Sequence, residues 1–127
     1  MHNIIERTFE ILIGLYYMTM GLDGFLKKLP IPEPSEKALN FIKALEDSKY
    51  ILFIVKIIEI SVGFAWVSGF YSGLAWIVFT PIWLNIILYH LILNKREIIL
   101  PSFLILAHLF IGYKNREYLY NSLLQLN

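Results

Sequence analysis

Residues 73–93 contain no Asp, Glu, Lys or Arg, and that run limits the available folds more than any other part of the chain. It matches the ~20 mainly apolar residues that an α-helix needs to cross a hydrocarbon core. Inside a bilayer no water pairs with backbone N–H and C=O groups, so such a segment has to be helical. Three further apolar stretches accompany it. Together they predict an all-α protein, a four-helix transmembrane bundle with spans at about 4–26, 50–70, 73–93 and 98–113. Residues 1–127 then form a single membrane domain. The chain is 57% hydrophobic and 17% charged, against ~45–50% and ~25% in ordinary globular proteins. A soluble helical bundle would need polar faces along the second and third segments, and the third has none.

The connections carry their own signals. Lys27, Lys28 and the alternating prolines at 30–34 close the first span, because proline cannot continue a helix and favours extended backbone. Ser35 can cap a following helix whose first turn holds Glu36. Ala38, Phe41, Ile42 and Leu45 make an apolar stripe opposite Glu36, Lys37, Asn40, Lys43, Glu46 and Asp47. This predicts a short amphipathic helix at about 35–48, lying in the membrane interface or covering the bundle end. The short uncharged link at 68–73 makes spans two and three an antiparallel hairpin. Trp66, Tyr71 and Trp76 near that turn read as an interfacial aromatic belt.

Charge sets the orientation. Lys27, Lys28, Lys37, Lys43, Lys49, Lys95 and Arg96 lie at the end holding the 1–2 and 3–4 connections, against Arg7, Lys114 and Arg116 at the end holding both termini. The bias places those connections in the cytoplasm. A net charge of +1 makes no case for nucleic acid. The absence of cysteine excludes disulfides, thiolate nucleophiles and zinc–thiolate sites within this chain. Glu6 and Glu10 beside Arg7, with no basic n-region and no small-residue cleavage site, argue that the first apolar segment is a retained span.

The chemistry lies in polar residues that the spans carry below the surface. Lys56 and Glu59 are three apart and so share one helix face, inside an otherwise apolar run. An unpaired charge at bilayer depth costs at least ~2.5–3.5 kcal/mol on insertion scales. Such residues therefore face protein, pair, and mark working sites. Measured from the end with the basic connections at 1.5 Å per residue, Glu59 and Asn85 fall about 14 Å deep, His108 about 15 Å, Lys56 about 9 Å, and Asp23 and His90 about 6 Å. Four spans thus send Glu59, Lys56, Asn85, His90, His108 and Asp23 into one half of the bundle. The other half offers little beyond Thr8, Glu10 and the aromatics. A plain reading stands beside this one: the Lys56–Glu59 pair neutralises itself and fixes packing, Asp23 pairs with Lys27, and Asn85 bonds between helices. The two histidines differ in depth by about 9 Å, a poor match for two axial ligands on one haem iron, and no metal-ligand spacing motif is present.

Three stretches resemble the DoxX-like integral membrane protein family. They are Gly21-Leu-Asp-Gly-Phe-Leu-Lys-Lys-Leu29, Lys56-Ile-Ile-Glu59-Ile-Ser-Val-Gly63 and Pro81-Ile-Trp-Leu-Asn85-Ile-Ile-Leu-Tyr-His90. The closing Gly112-Tyr-Lys-Asn-Arg-Glu-Tyr118 is similar to the family's aromatic–basic end. The resemblance implies a compact four-helix bundle in a bacterial-type inner membrane. It also implies association with quinone-linked oxidoreductase chemistry, in which any thiol step would fall to a partner.

The expected function is therefore that of a membrane subunit whose polar cluster binds a quinone or related lipid-soluble molecule, embedded in the lipid bilayer and working with a soluble oxidoreductase partner. A homo-oligomer is compatible with this reading. The main alternative is a non-enzymatic assembly factor or scaffold, with the cluster only securing the bundle. A small transporter ranks third, because no internal repeat is evident.

Overall fold

The computed structural model describes residues 3–27, 33–95 and 98–124. The described residues form helices α1 (Ile4–Leu26), α2 (Glu36–Asp47), α3 (Ile51–Ser68), α4 (Ser72–Leu88), α5 (Ile99–Lys114) and α6 (Arg116–Leu123), with no strand among them. A π-helical turn, Tyr89–Leu93, prolongs α4. Lys28, most of the proline stretch and Arg96 lie outside the described residues.

Among the described residues three helices are long and apolar enough to cross a membrane: Ile4–Leu26, Ile51–Ser68 and Ser72–Leu93. The fourth apolar helix, α5, is shorter at 16 residues. Their outward faces remain greasy, with Phe64 61%, Leu106 68% and Leu109 57% exposed. A soluble monomer rarely leaves apolar surface so continuous.

Cross-bonds give the direction of each helix. Arg7, at the start of α1, reaches the carbonyls of Trp66 and Val67 at the end of α3. Gly24, near the end of α1, lies against Lys56 near the start of α3. The two helices are therefore antiparallel. Trp76 Nε1 donates to His108 O and Trp83 Nε1 to Leu104 O, so α4 and α5 also run in opposite directions. Edge-on contacts of Phe9 with Phe110 and Tyr16 with Phe103 bring α5 back onto α1. The buried middle is aromatic: Tyr17 of α1 meets Phe79 of α4 at 4.8 Å and Trp66 of α3 at 5.8 Å.

The α1–α3 contact brings two backbones close together. A Cβ placed on Gly14 would stand 2.6 Å from Gly63 O, and one on Gly63 would stand 2.6 Å from Gly14 O. Small residues at matched positions let two backbones approach in an apolar medium, where dispersion contacts drive helix association.

The amphipathic helix α2 forms as its pattern predicts. Ser35 Oγ accepts from Ala38 N at its N-terminus, and Ala38 is fully buried. Ser35 also donates to Leu93 O at 2.6 Å, pinning α2 to the π turn. One expectation fails. Trp66 is fully buried and Trp76 is half-buried and stacked on His108, so of the supposed aromatic belt Tyr71, 78% exposed, stands furthest out. Each indole finds a buried carbonyl for its N–H, which makes an inward site cheap for a large apolar ring.

Candidate functional site

The Lys56–Glu59 pair forms within α3. Lys56 Nζ stands 3.0 Å from a Glu59 carboxylate oxygen, with the carboxylate side chain 5% and the lysine 21% exposed. The lysine stem lies along α1 because Gly24 leaves room: a Cβ there would come within 2.6 Å of Lys56 Cγ and Cδ. Asp23, beside Gly24, is also buried. Tyr16 and Tyr17 of α1 lie within electrostatic reach of Glu59. The Tyr17 hydroxyl is buried with no hydrogen-bond partner among the described residues.

Lys56 does not close the site off. It lines a cleft of about 180 Å³ bounded by Gly24 and Phe25 of α1, Leu45 and Glu46 of α2, and Lys49, Leu52 and Phe53 near the start of α3. Two of these lining residues, Phe25 and Phe53, meet edge-on at 5.6 Å, each about half exposed. The cleft is thus lined by apolar Phe25, Leu45, Leu52 and Phe53 together with the ionisable residues Glu46, Lys49 and Lys56. Lys27 reaches the lining residue Glu46 at 3.3 Å.

The other sequence-derived candidates separate. Asn85 is exposed on the outer face of α4 and donates to Pro81 O on its own helix at 3.0 Å. An amide facing an apolar medium satisfies itself on the nearest backbone carbonyl, and Asn85 does not join Glu59. His90 sits half-buried on the π turn, edge-on to Tyr89. His108 is buried, but in a different place: its ring is sandwiched between Trp76 and Trp83, with centroids 4.6 and 4.3 Å away and planes within 13° and 16°.

The His108 network assigns its tautomer. Thr80 Oγ1 donates its single proton to Trp76 O at 2.6 Å, so its 2.9 Å contact with His108 Nε2 has the ring nitrogen as donor. Replacing Thr80 by Val keeps the shape and removes the acceptor. The expected outcome is a loss of about 1–3 kcal/mol of stability, read as a lowered unfolding midpoint in detergent.

A second ionic centre lies at the opposite end, where the sequence suggested little. Glu10 is 1% exposed. One of its oxygens is 2.7 Å from Arg7 Nη1 and 3.4 Å from Lys114 Nζ, and the other accepts from Ser72 Oγ. Asn115 Nδ2 donates to Ser72 Oγ at 3.0 Å. Residues of α1, α4 and α5 therefore meet on one carboxylate, and Arg7 ties in the last carbonyls of α3. The signal that could have revealed it was a carboxylate one turn from Arg7 inside an apolar segment, the same logic that singled out Lys56 and Glu59. Its partners Ser72 and Lys114 lie far away in sequence.

No protein-family model, curated protein or solved structure matches this chain. The chemistry must be read from the side chains. Among the described residues no three His, Asp or Glu come together as a metal site. The Glu10 centre is closed by its own partners, whereas the Lys56–Glu59 pair adjoins open space.

Proposed function

We propose that this chain is a DoxX-like integral membrane protein, a four-helix transmembrane bundle in a bacterial-type inner membrane. In this reading α1, α3, α4 with its π turn, and α5 are the spans, α2 lies at the interface, and the basic connections face the cytoplasm. Its role is that of a membrane subunit in quinone-linked oxidoreductase chemistry, working with a soluble partner. Lys56 hydrogen-bonds the carbonyl head of a quinone-type molecule while Phe25, Leu52 and Phe53 hold its apolar part.

One observation carries the reading: the lysine of the Lys56–Glu59 pair lines a cleft that also offers the apolar side chains of Phe25, Leu52 and Phe53. Supporting it are the motif resemblances around Gly21, Lys56 and Pro81. The test is titration of the detergent-solubilised protein with decylubiquinone, followed by tryptophan fluorescence and by analysis of co-purified lipids. Saturable binding is expected, weakened about tenfold or more in Lys56→Met, as befits loss of a charge-assisted hydrogen bond. No saturable binding, together with no quinone in the extracted lipids, would refute the reading.

The closed Glu10 centre favours a second reading, a scaffold or assembly factor whose buried charges only hold helices together. Under it, Lys56→Met would lower stability and function in step.

A further inference from the structure

The cleft and the ion pair are joined through one flexible side chain. Lys56 Nζ is bonded to Glu59 at 3.0 Å, and the same lysine lines the cleft. Its stem packs along the bare backbone of Gly24 with 21% of the side chain exposed, and the rotatable bonds of a lysine let the ammonium be re-aimed while Cα stays fixed. Glu59 has no such freedom, being 4% exposed on the α1-facing side of α3. Among the described residues, the ionisable groups near it include Lys56 on its own helix and Tyr16 and Tyr17 on α1, and buried Asp23 sits on α1 beside Gly24, where the Lys56 stem packs. Neither tyrosine supplies a positive charge to replace the lysine.

We infer that the cleft and the pair act as a charge-swap unit: an amphiphile with a hydrogen-bond-accepting oxygen head draws the Lys56 ammonium into the cleft, and Glu59 takes up one proton from solvent in exchange. This rests on the quinone-type reading of the cleft and adds a coupling to it. The balance is simple. The ammonium keeps its three protons and changes its acceptor from the Glu59 carboxylate to the ligand oxygen. One proton from the medium adds to the carboxylate, and no bond in the ligand forms or breaks. The driving cause is that a carboxylate left unpaired in a poorly solvated interior is strongly disfavoured in its charged form. Ligand binding and protonation are then linked, each promoting the other. A ligand arriving from the membrane would thereby prepare a buried acid beside it.

The test is calorimetric titration of the full-length protein in detergent with decylubiquinone, run in two buffers of different ionisation enthalpy. The expected result is uptake of close to one proton per quinone bound, with Kd rising by up to about tenfold per pH unit where Glu59 is ionised in the free protein. Glu59→Gln should bind with a pH-independent Kd and no proton uptake, and its melting profile checks that it is folded. Binding by the wild-type protein without proton uptake overturns the charge swap and leaves the quinone reading standing. Proton uptake that persists in folded Glu59→Gln also overturns it, by assigning the proton elsewhere. Absence of binding removes both.

Discussion

Replacing Glu10 by Ala is expected to destabilise the protein by about 3–5 kcal/mol, the range for removing one partner of a buried ion pair. Glu10 is almost completely enclosed, and its carboxylate is the common acceptor for Arg7, Lys114 and the Ser72 hydroxyl. Without it, Lys114, whose side chain is 7% exposed, loses the buried carboxylate it faces. Arg7 keeps its bonds to Trp66 O and Val67 O but loses its neutralising partner. Glu10→Gln should cost less, since an amide oxygen still accepts from Ser72. Reversible unfolding in mixed micelles, followed by circular dichroism, measures both. A loss below 1 kcal/mol for Glu10→Ala, well short of the range expected of a buried pair, would mean that the centre is hydrated and contributes little.

The second large effect is expected at the α1–α3 contact. In Gly63→Ala the new methyl would lie 2.6 Å from Gly14 O and 2.8 Å from Met18 N. Both are backbone atoms, so relief requires the helices to separate. Overpacking of this kind costs about 1–3 kcal/mol, and here the separation also loosens the shared surface that holds Tyr17 against Trp66. Gly14→Ala should behave alike, because its methyl meets Gly63 O and Val67 N. The double substitution is expected to cost less than the sum of the two, since the first separation makes room for the second methyl. Additive losses would place the strain within each helix and not between them. The same unfolding assay decides it.

The Glu10 centre lies in a different part of the chain from the pair that stands out in the sequence, and Gly63 lies one turn beyond that pair on α3. Lys56 and Glu59 were legible because both belong to one helix, where a spacing of three residues fixes their proximity. The helix boundaries were legible for a similar reason: uninterrupted apolar runs, the Ser35 cap and the short 68–73 link all act locally. The depth estimate counts residues along each helix axis and carries no information about rotation around it. That is why Asn85, level with Glu59 by residue count, faces outward onto Pro81 O. His108 lies instead between two tryptophans of α4. Rotation is set by which faces pack, and the Gly14–Gly63 approach and the indole–carbonyl bonds determine those faces.

The sequence by itself therefore determined that the chain is helical, that at least three of its helices are apolar enough to cross a membrane, that an amphipathic helix follows the first, and that Lys56 and Glu59 stand together. Each of these depends on hydrophobic length or on neighbours within a turn or two. Only the tertiary structure decided that Glu10 is an ionic hub, that Trp66 belongs to the core, and that Lys56 borders a cleft. Those features join residues as much as 104 positions apart, as Glu10 and Lys114 are. Contacts of that kind arise when helices choose their facing sides, a choice made by close packing and by the need to satisfy every buried polar group at once.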